Sequence, residues 1–112
     1  METKQLWLIL VPTHFNNHEK VDIEHHKEWD HFVEKITNGL TIESSSRGIW
    51  INNDGIKYEE RMIPVKIVCT PEQISDISDF TAKHYMQEAI CYYKISDTVF
   101  IINYSSSFKR TE

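Results

Sequence analysis

The chain has 112 residues, of which 40% are hydrophobic and 26% charged, and a formal net charge of −5. That length suits one domain with a single core, and the composition excludes the disordered and fibrous classes. The negative balance argues against general attraction to nucleic acid, which rests on clustered Lys and Arg; Lys109 and Arg110 near the C-terminus are too few to reverse it.

The first residues, Met1-Glu2-Thr3-Lys4-Gln5, lack the cationic start and long apolar core of a signal peptide, and no run reaches the ~18 apolar residues that cross a bilayer. A cytoplasmic protein without membrane attachment is expected. Gln5 to Val11 is a short apolar run with aromatic and branched residues, closed by Pro12, and it predicts a buried strand. Thr13 to Lys20 is polar and predicts a loop, with free backbone amides over Thr13 to Asn17. Asp22 is the expected N-cap of a helix to about Thr37, because Trp29, Phe32, Val33 and Ile36 recur at helical spacing. Asn38-Gly39 supplies a left-handed residue to close it.

Leu40 to Ile42 and Ile49 to Ile51 read as two ends of a second strand, with Glu43 to Gly48 bulging between them. Asn53-Asp54-Gly55 predicts a tight turn into a third strand, Lys57 to Cys69, where Pro64 marks an edge or a bulge. Thr70-Pro71-Glu72-Gln73 is a capping-box start for a second helix to about Tyr85, with Ile74, Ile77, Thr81 and Tyr85 on one face and Phe80 beside it. Ala89 to Ile95 and Thr98 to Tyr104 read as two final strands joined at Ser96-Asp97, followed by a loose tail over 105–112. Cys69 and Cys91 fall inside predicted strands without metal-knuckle spacing, so buried free thiols are expected.

This element order is α+β: a single ferredoxin-like β-α-β-β-α-β domain over 1–112, core about 5–104, with an extra C-terminal strand. Two helices on one face leave apolar side chains on the other, which calls for an oligomer.

Two polar groups interrupt the strands. Tyr58-Glu59-Glu60-Arg61 opens the third strand, with Tyr58 and Glu60 on one face and Glu59 and Arg61 on the other. Gln87-Glu88 precedes the fourth. Taken alone, both patterns also describe solvated edges with ordinary ion pairs. Of the six histidines, His14 and His18 lie in a loop, while His25, His26 and His31 lie on or near the first helix; with no Cys among them, no metal site is expected.

Several short segments nevertheless occur in a familiar order: the LILVPTHFNN start, Gly39-Leu40, Tyr58-Glu59-Glu60, Val65 to Cys69, Gln87-Glu88-Ala89-Ile90 and Tyr93-Lys94. Across Leu6 to Tyr104 the chain resembles the phage-type S-adenosylmethionine (SAM) lyases. The resemblance implies a homotrimer similar to the PII architecture, with SAM bound between neighbouring subunits. It places Tyr58, Glu60 and Glu88 at the catalytic centre and Gln87 against the substrate. The well-matched loop after the first strand adds His14 and Asn16 as candidate binding residues, and Arg61 is a candidate cation.

In that family SAM's own carboxylate attacks its γ-carbon, releasing 5'-methylthioadenosine and homoserine lactone, so no metal, cofactor or water nucleophile is required. Similar lyases beside type III CRISPR systems act on adenylated SAM (SAM-AMP), whose phosphodiester would need a cation such as Arg47, Lys57 or Arg61. Either substrate implies a role in phage–host conflict. The alternative expectation is a non-catalytic PII-like nucleotide sensor, signalling through the segment Glu43 to Asn53, or a protein that sequesters a nucleotide messenger.

Overall fold

β1 (Gln5–Pro12) is one of two inner strands of the sheet in the computed structural model, which describes residues 3–104. It pairs antiparallel with β4 (Lys57–Cys69) from Gln5↔Cys69 to Pro12↔Met62, and on its other side with β5 (Tyr92–Ser96). β2 (Thr41–Ile42) and β3 (Ser46–Ile51) share the far side of β4. With α1 (Ile23–Thr37) and α2 (Pro71–His84) in their places in the chain, this is the ferredoxin-like β-α-β-β-α-β arrangement with an extra strand.

Strand alternation decides which side chains meet the helices. Trp7, Ile9 and Val11 lie opposite Ile67, Val65 and Ile63 in register. Above them α1 contributes Trp29 and Val33, α2 contributes Ile74 and Ile77, and Tyr85 follows at its C-cap, giving one continuous core. The stripes expected from helical spacing are the buried ones, with Phe32, Ile36 and Phe80 packed at the margin. A fully buried polar link crosses this apolar layer. The Trp29 indole Nε1–H donates to Thr81 Oγ1 at 2.8 Å, and the Thr81 hydroxyl donates to the carbonyl of Ile77 at 2.6 Å.

Both helix starts are capped as expected. Asp22 accepts from the His25 amide at 2.8 Å, and Thr70 and Gln73 exchange bonds of 3.1 and 3.0 Å. Gln73 also donates to the carbonyl of Ile36 at 3.2 Å, which ties the start of α2 to the end of α1. Asn38, with φ of 67°, closes α1 by donating to Glu34 at 2.9 Å.

Four expectations need correction or refinement. The edge break is shorter than Glu43–Gly48: Ile42 lies opposite Val65 and Ser46 opposite Met62, so four steps along the edge run against three along β4. One residue bulges there, opposite a proline with no N–H for the ladder, and the Glu43 amide takes the Pro64 carbonyl at 2.9 Å. β5 begins at Tyr92 rather than Ala89. Thr98 to Tyr104 pairs with no strand among the described residues; the extra strand is the second half of the divided edge. Ser96 Oγ donates to the Thr98 carbonyl and accepts from the Thr98 amide, closing a side-chain turn instead of a ladder, and Phe100 stands 84% exposed. Lastly, Cys69 is buried but Cys91 is exposed, because it precedes β5 on the side without helices. Burial pushes the Cys69 thiol up to about 11.

The expected loose tail, with Lys109 and Arg110, lies outside the described residues. Among the described residues no helix is long and apolar enough to cross a membrane.

Two stability tests follow from this packing. Thr81→Val keeps the side-chain volume but leaves the buried Trp29 N–H unpaired, and it should lower unfolding free energy by about 1–3 kcal/mol in urea titrations. The second concerns His26, whose Nδ1 shares a 2.7 Å hydrogen bond with the Tyr85 hydroxyl. Burial, followed by the charge of His25, holds the His26 imidazole below its ordinary 6.5, and Asp22 opposes this. The unfolded chain therefore binds more protons than the folded one just below that value. The His26 contribution is intact above pH 6.5 and is lost as pH falls toward the lower folded value. The melting temperature should drop between about pH 7 and pH 5, and His26→Gln should reduce that drop.

Candidate functional site

The two central strands differ in length, 13 residues in β4 against 8 in β1. Lys57 to Arg61 therefore continue past Pro12, paired with β3 across a turn that Asn52 organises by accepting from the amides of Asp54 and Ile56 at 2.9 Å. Gly55 adopts φ of 80° in that turn. The loop that leaves β1 and the segment between α2 and β5 come to the same end of the sheet. Together these pieces enclose two adjoining depressions of about 670 and 660 Å³, which share Pro12, Asn16, Glu60 and Gln87. Each lies within the ~300–1,000 Å³ usual for small-molecule sites.

All seven residues singled out from sequence line this concavity. Tyr58, Arg61 and His14 line the first depression, Glu88 lines the second, and Glu60, Gln87 and Asn16 line both. Tyr58 lies opposite Trp50, and Glu60 opposite Gly48. A Cβ at Gly48 would sit 3.2 Å from the Trp50 ring, so the glycine lets the indole lie across the strand beside Glu60. Trp50 and Met62 form the second depression's apolar wall and were not anticipated; the signal for Trp50 was its cross-strand position against Tyr58 over the Asn53-Asp54-Gly55 turn.

The charges are unevenly matched. Glu59 is paired with Lys57 at 3.1 Å, which engages one of the three cations considered for a phosphodiester. Among the described residues Glu60 and Glu88 have no ion-pair partner. Arg61 reaches Ser45 Oγ only at 3.4 Å and stays on the lining. Arg47 lies across the strand pair from Arg61.

The loop after β1 bonds part of its backbone to itself, the Phe15 amide included. Phe15 N–H donates to the Glu19 carbonyl at 2.8 Å, His18 N–H to the Phe15 carbonyl at 3.0 Å, and Glu19 N–H to Asn17 Oδ1 at 3.0 Å. Its own turn consumes these three donors, and His14, Phe15 and Asn16 line the first depression. Asn16 Nδ2 donates to the Met86 carbonyl at 3.2 Å and joins the two sides of the concavity. Gln87 Nε2 donates to the Tyr85 carbonyl at 3.1 Å, which orients that amide.

Away from the concavity, His25, Glu28 and His84 bring potential metal-binding atoms within 4.8 Å of one another. The two imidazoles stack with centroids 3.7 Å apart and planes 12° from parallel. Each Nε2–H donates to the other residue's backbone carbonyl, at 2.6 and 2.7 Å. A metal ion lies in the plane of each imidazole that binds it, and two nearly parallel planes do not meet at one ion. In this arrangement the cluster clasps the start of α1 to the end of α2.

No protein-family model and no curated protein matches the chain. Solved structures do. A phage SAM lyase in complex with S-methyl-5'-thioadenosine is similar with a TM-score of 0.60 and 12% identity, over 86% of this chain and 92% of that one. The divalent cation tolerance protein CutA1 from Thermus thermophilus is similar with a TM-score of 0.61 and 11% identity, over 95% and 91%. CutA1 from a psychrotrophic Shewanella species gives 0.60 and 13%, over 97% and 92%. These likenesses show the ferredoxin-like fold alone, and they approach the lyase and the CutA1 proteins equally.

Met86, beside Gln87 and Glu88, has φ of 54° and an exposed side chain. A left-handed non-glycine residue costs ~1–2 kcal/mol, part of which glycine gives back through greater unfolded-state freedom. In urea titrations Met86→Gly should therefore raise the unfolding free energy by up to about 1 kcal/mol, and the β-branched Met86→Val should lower it by at least as much.

Proposed function

We propose that this protein is a lyase that cleaves the sulfonium of SAM, or of SAM-AMP, at a concavity completed by a neighbouring copy in a cytoplasmic homotrimer. The observation that carries this reading is the convergence of Tyr58, Glu60, Gln87, Glu88, His14, Asn16 and Arg61 on two contiguous depressions. They come from the loop after β1, from β4 and from the segment before β5. Shared fold with a phage SAM lyase that binds a thioadenosine supports it. The assembly is favoured by exposed apolar side chains, including Trp50, Tyr93 and Ile95, and along Phe100 to Ile102.

The chemistry asks for positioning. SAM carries its leaving group and its nucleophile, so folding the methionyl chain until the carboxylate faces the γ-carbon can supply up to about 7–11 kcal/mol of the barrier. Positive charge on sulfur disappears as the bond breaks, so a carboxylate against the sulfonium would favour the ground state. Glu60, with Glu88, instead holds the ammonium or ribose hydroxyls, while the Tyr58 ring lies near the methylsulfonium. Arg61 is the cation for a phosphodiester if SAM-AMP is the substrate.

The second reading, a non-catalytic nucleotide sensor, draws on the exposed β3–β4 hairpin. It predicts binding without product. Incubation with SAM and with SAM-AMP, followed by chromatography, should yield 5'-methylthioadenosine or its AMP conjugate; an unchanged substrate that still binds selects the sensor. Glu60→Gln should reduce turnover on the order of a hundredfold while light scattering shows unchanged assembly, because only a charge-assisted contact is removed.

A further inference from the structure

The Thr13 hydroxyl, at the start of the loop that leaves β1, lies 2.9 Å from the carbonyl oxygen of Arg61 on β4 and 2.8 Å from Nδ1 of His14. A hydroxyl has one proton, and a carbonyl oxygen only accepts. The Thr13 proton therefore goes to Arg61, and Oγ1 offers His14 lone pairs alone. Nδ1 must supply the hydrogen for that contact. The neutral His14 ring thus carries its proton on Nδ1 and a bare lone pair on Nε2, the less usual assignment for an unconstrained histidine. The His14 backbone is fixed as well, by its bridge to Lys20. No described residue bonds Nε2, and His14 lines the first depression.

We propose that His14 Nε2 is the acceptor that reads a neutral N–H or O–H donor on the nucleoside part of the bound ligand. This rests on the reading of the site given above. Carboxylates from Glu59 and Glu60 line the same depression and suit a cationic group. An uncharged ring nitrogen instead suits the adenine exocyclic amine or a ribose hydroxyl. Phe15 lines the wall beside it and offers a ring against which a base can lie. Thr13 acts as a positioning residue: by giving its own proton to Arg61 it makes His14 an acceptor.

Long-range proton–nitrogen correlation spectra of the isotope-labelled protein read the tautomer directly. The Nδ1–H pattern is expected for His14, identified by its absence in His14→Phe, and Thr13→Val should shift it toward Nε2–H. An Nε2–H tautomer in the wild-type protein overturns the inference, whatever the protein binds. Calorimetric titration with 5'-methylthioadenosine then tests the contact. His14→Phe, at an exposed position, should weaken binding roughly five- to tenfold, and His14→Gln, which places an amide oxygen near the ε position, should recover most of it. The His14→Phe loss should vanish with one analogue among those lacking the exocyclic amine, the 2'-hydroxyl or the 3'-hydroxyl, which names the donor. An undiminished loss across all three, or no loss at all, overturns the assignment. A protein that shows the tautomer but binds no methylthioadenosine overturns the ligand reading, and this assignment with it.

Discussion

The architecture turns on a mismatch between two neighbouring strands. β1 stops at Pro12, and β4, bonded to it along eight residues, continues for five more. Those five have helices neither above nor below them and a single strand beside them, so they project as an arm. Every wall of the concavity is set by where β1 leaves the ladder. Its exit places the loop over one side of β4, and antiparallel pairing with β5 brings the chain from α2 to the other. The radius of gyration is 16.2 Å, against about 13 Å for a compact chain of this size.

What this end of the sheet offers a ligand is chemically mixed. Two carboxylates lack ion-pair partners among the described residues, an indole lies across a glycine, and amide and imidazole groups are oriented by their own hydrogen bonds. Such a site favours a molecule with a positive end and a neutral polar end. On the proposed reading, that describes a sulfonium-bearing amino acid joined to a nucleoside. The rigid side of the structure supports this arrangement from below: the Trp29–Thr81 bond and the clasp of His25 on His84 fix the two helices to each other. The end of α2 then delivers Gln87 and Glu88 from a fixed origin.

Much of this was legible from residue order because the signals were local. Asp22, Thr70 with Gln73, and the Asn53-Asp54-Gly55 turn each act within a few residues of themselves, and each behaves as read. Helical stripes were equally readable, since a 3.6-residue period survives any tertiary arrangement. Features that depend on a distant partner were not. The bulge opposite Pro64 is set by the register of β4, the start of β5 by where Leu10 finds its partner, and the exposure of Cys91 by which face the helices cover. The candidate site divides the same way. Its polar residues stood out by type, but a contact such as Asn16 to Met86, 70 positions apart, exists only once the sheet is closed. The inward bonding of the loop after β1 was hidden because a backbone amide leaves no trace in composition.

The two cysteines differ in a way that bears on handling the molecule. Cys69 is enclosed in the core with its proton held tightly, whereas Cys91 sits open on the rim of the second depression. A maleimide or other alkylating dye at neutral pH would find one sulfur and leave the other untouched. The fold thereby carries a native attachment point for a fluorophore at the mouth of its main concavity, available without removing any thiol from the interior.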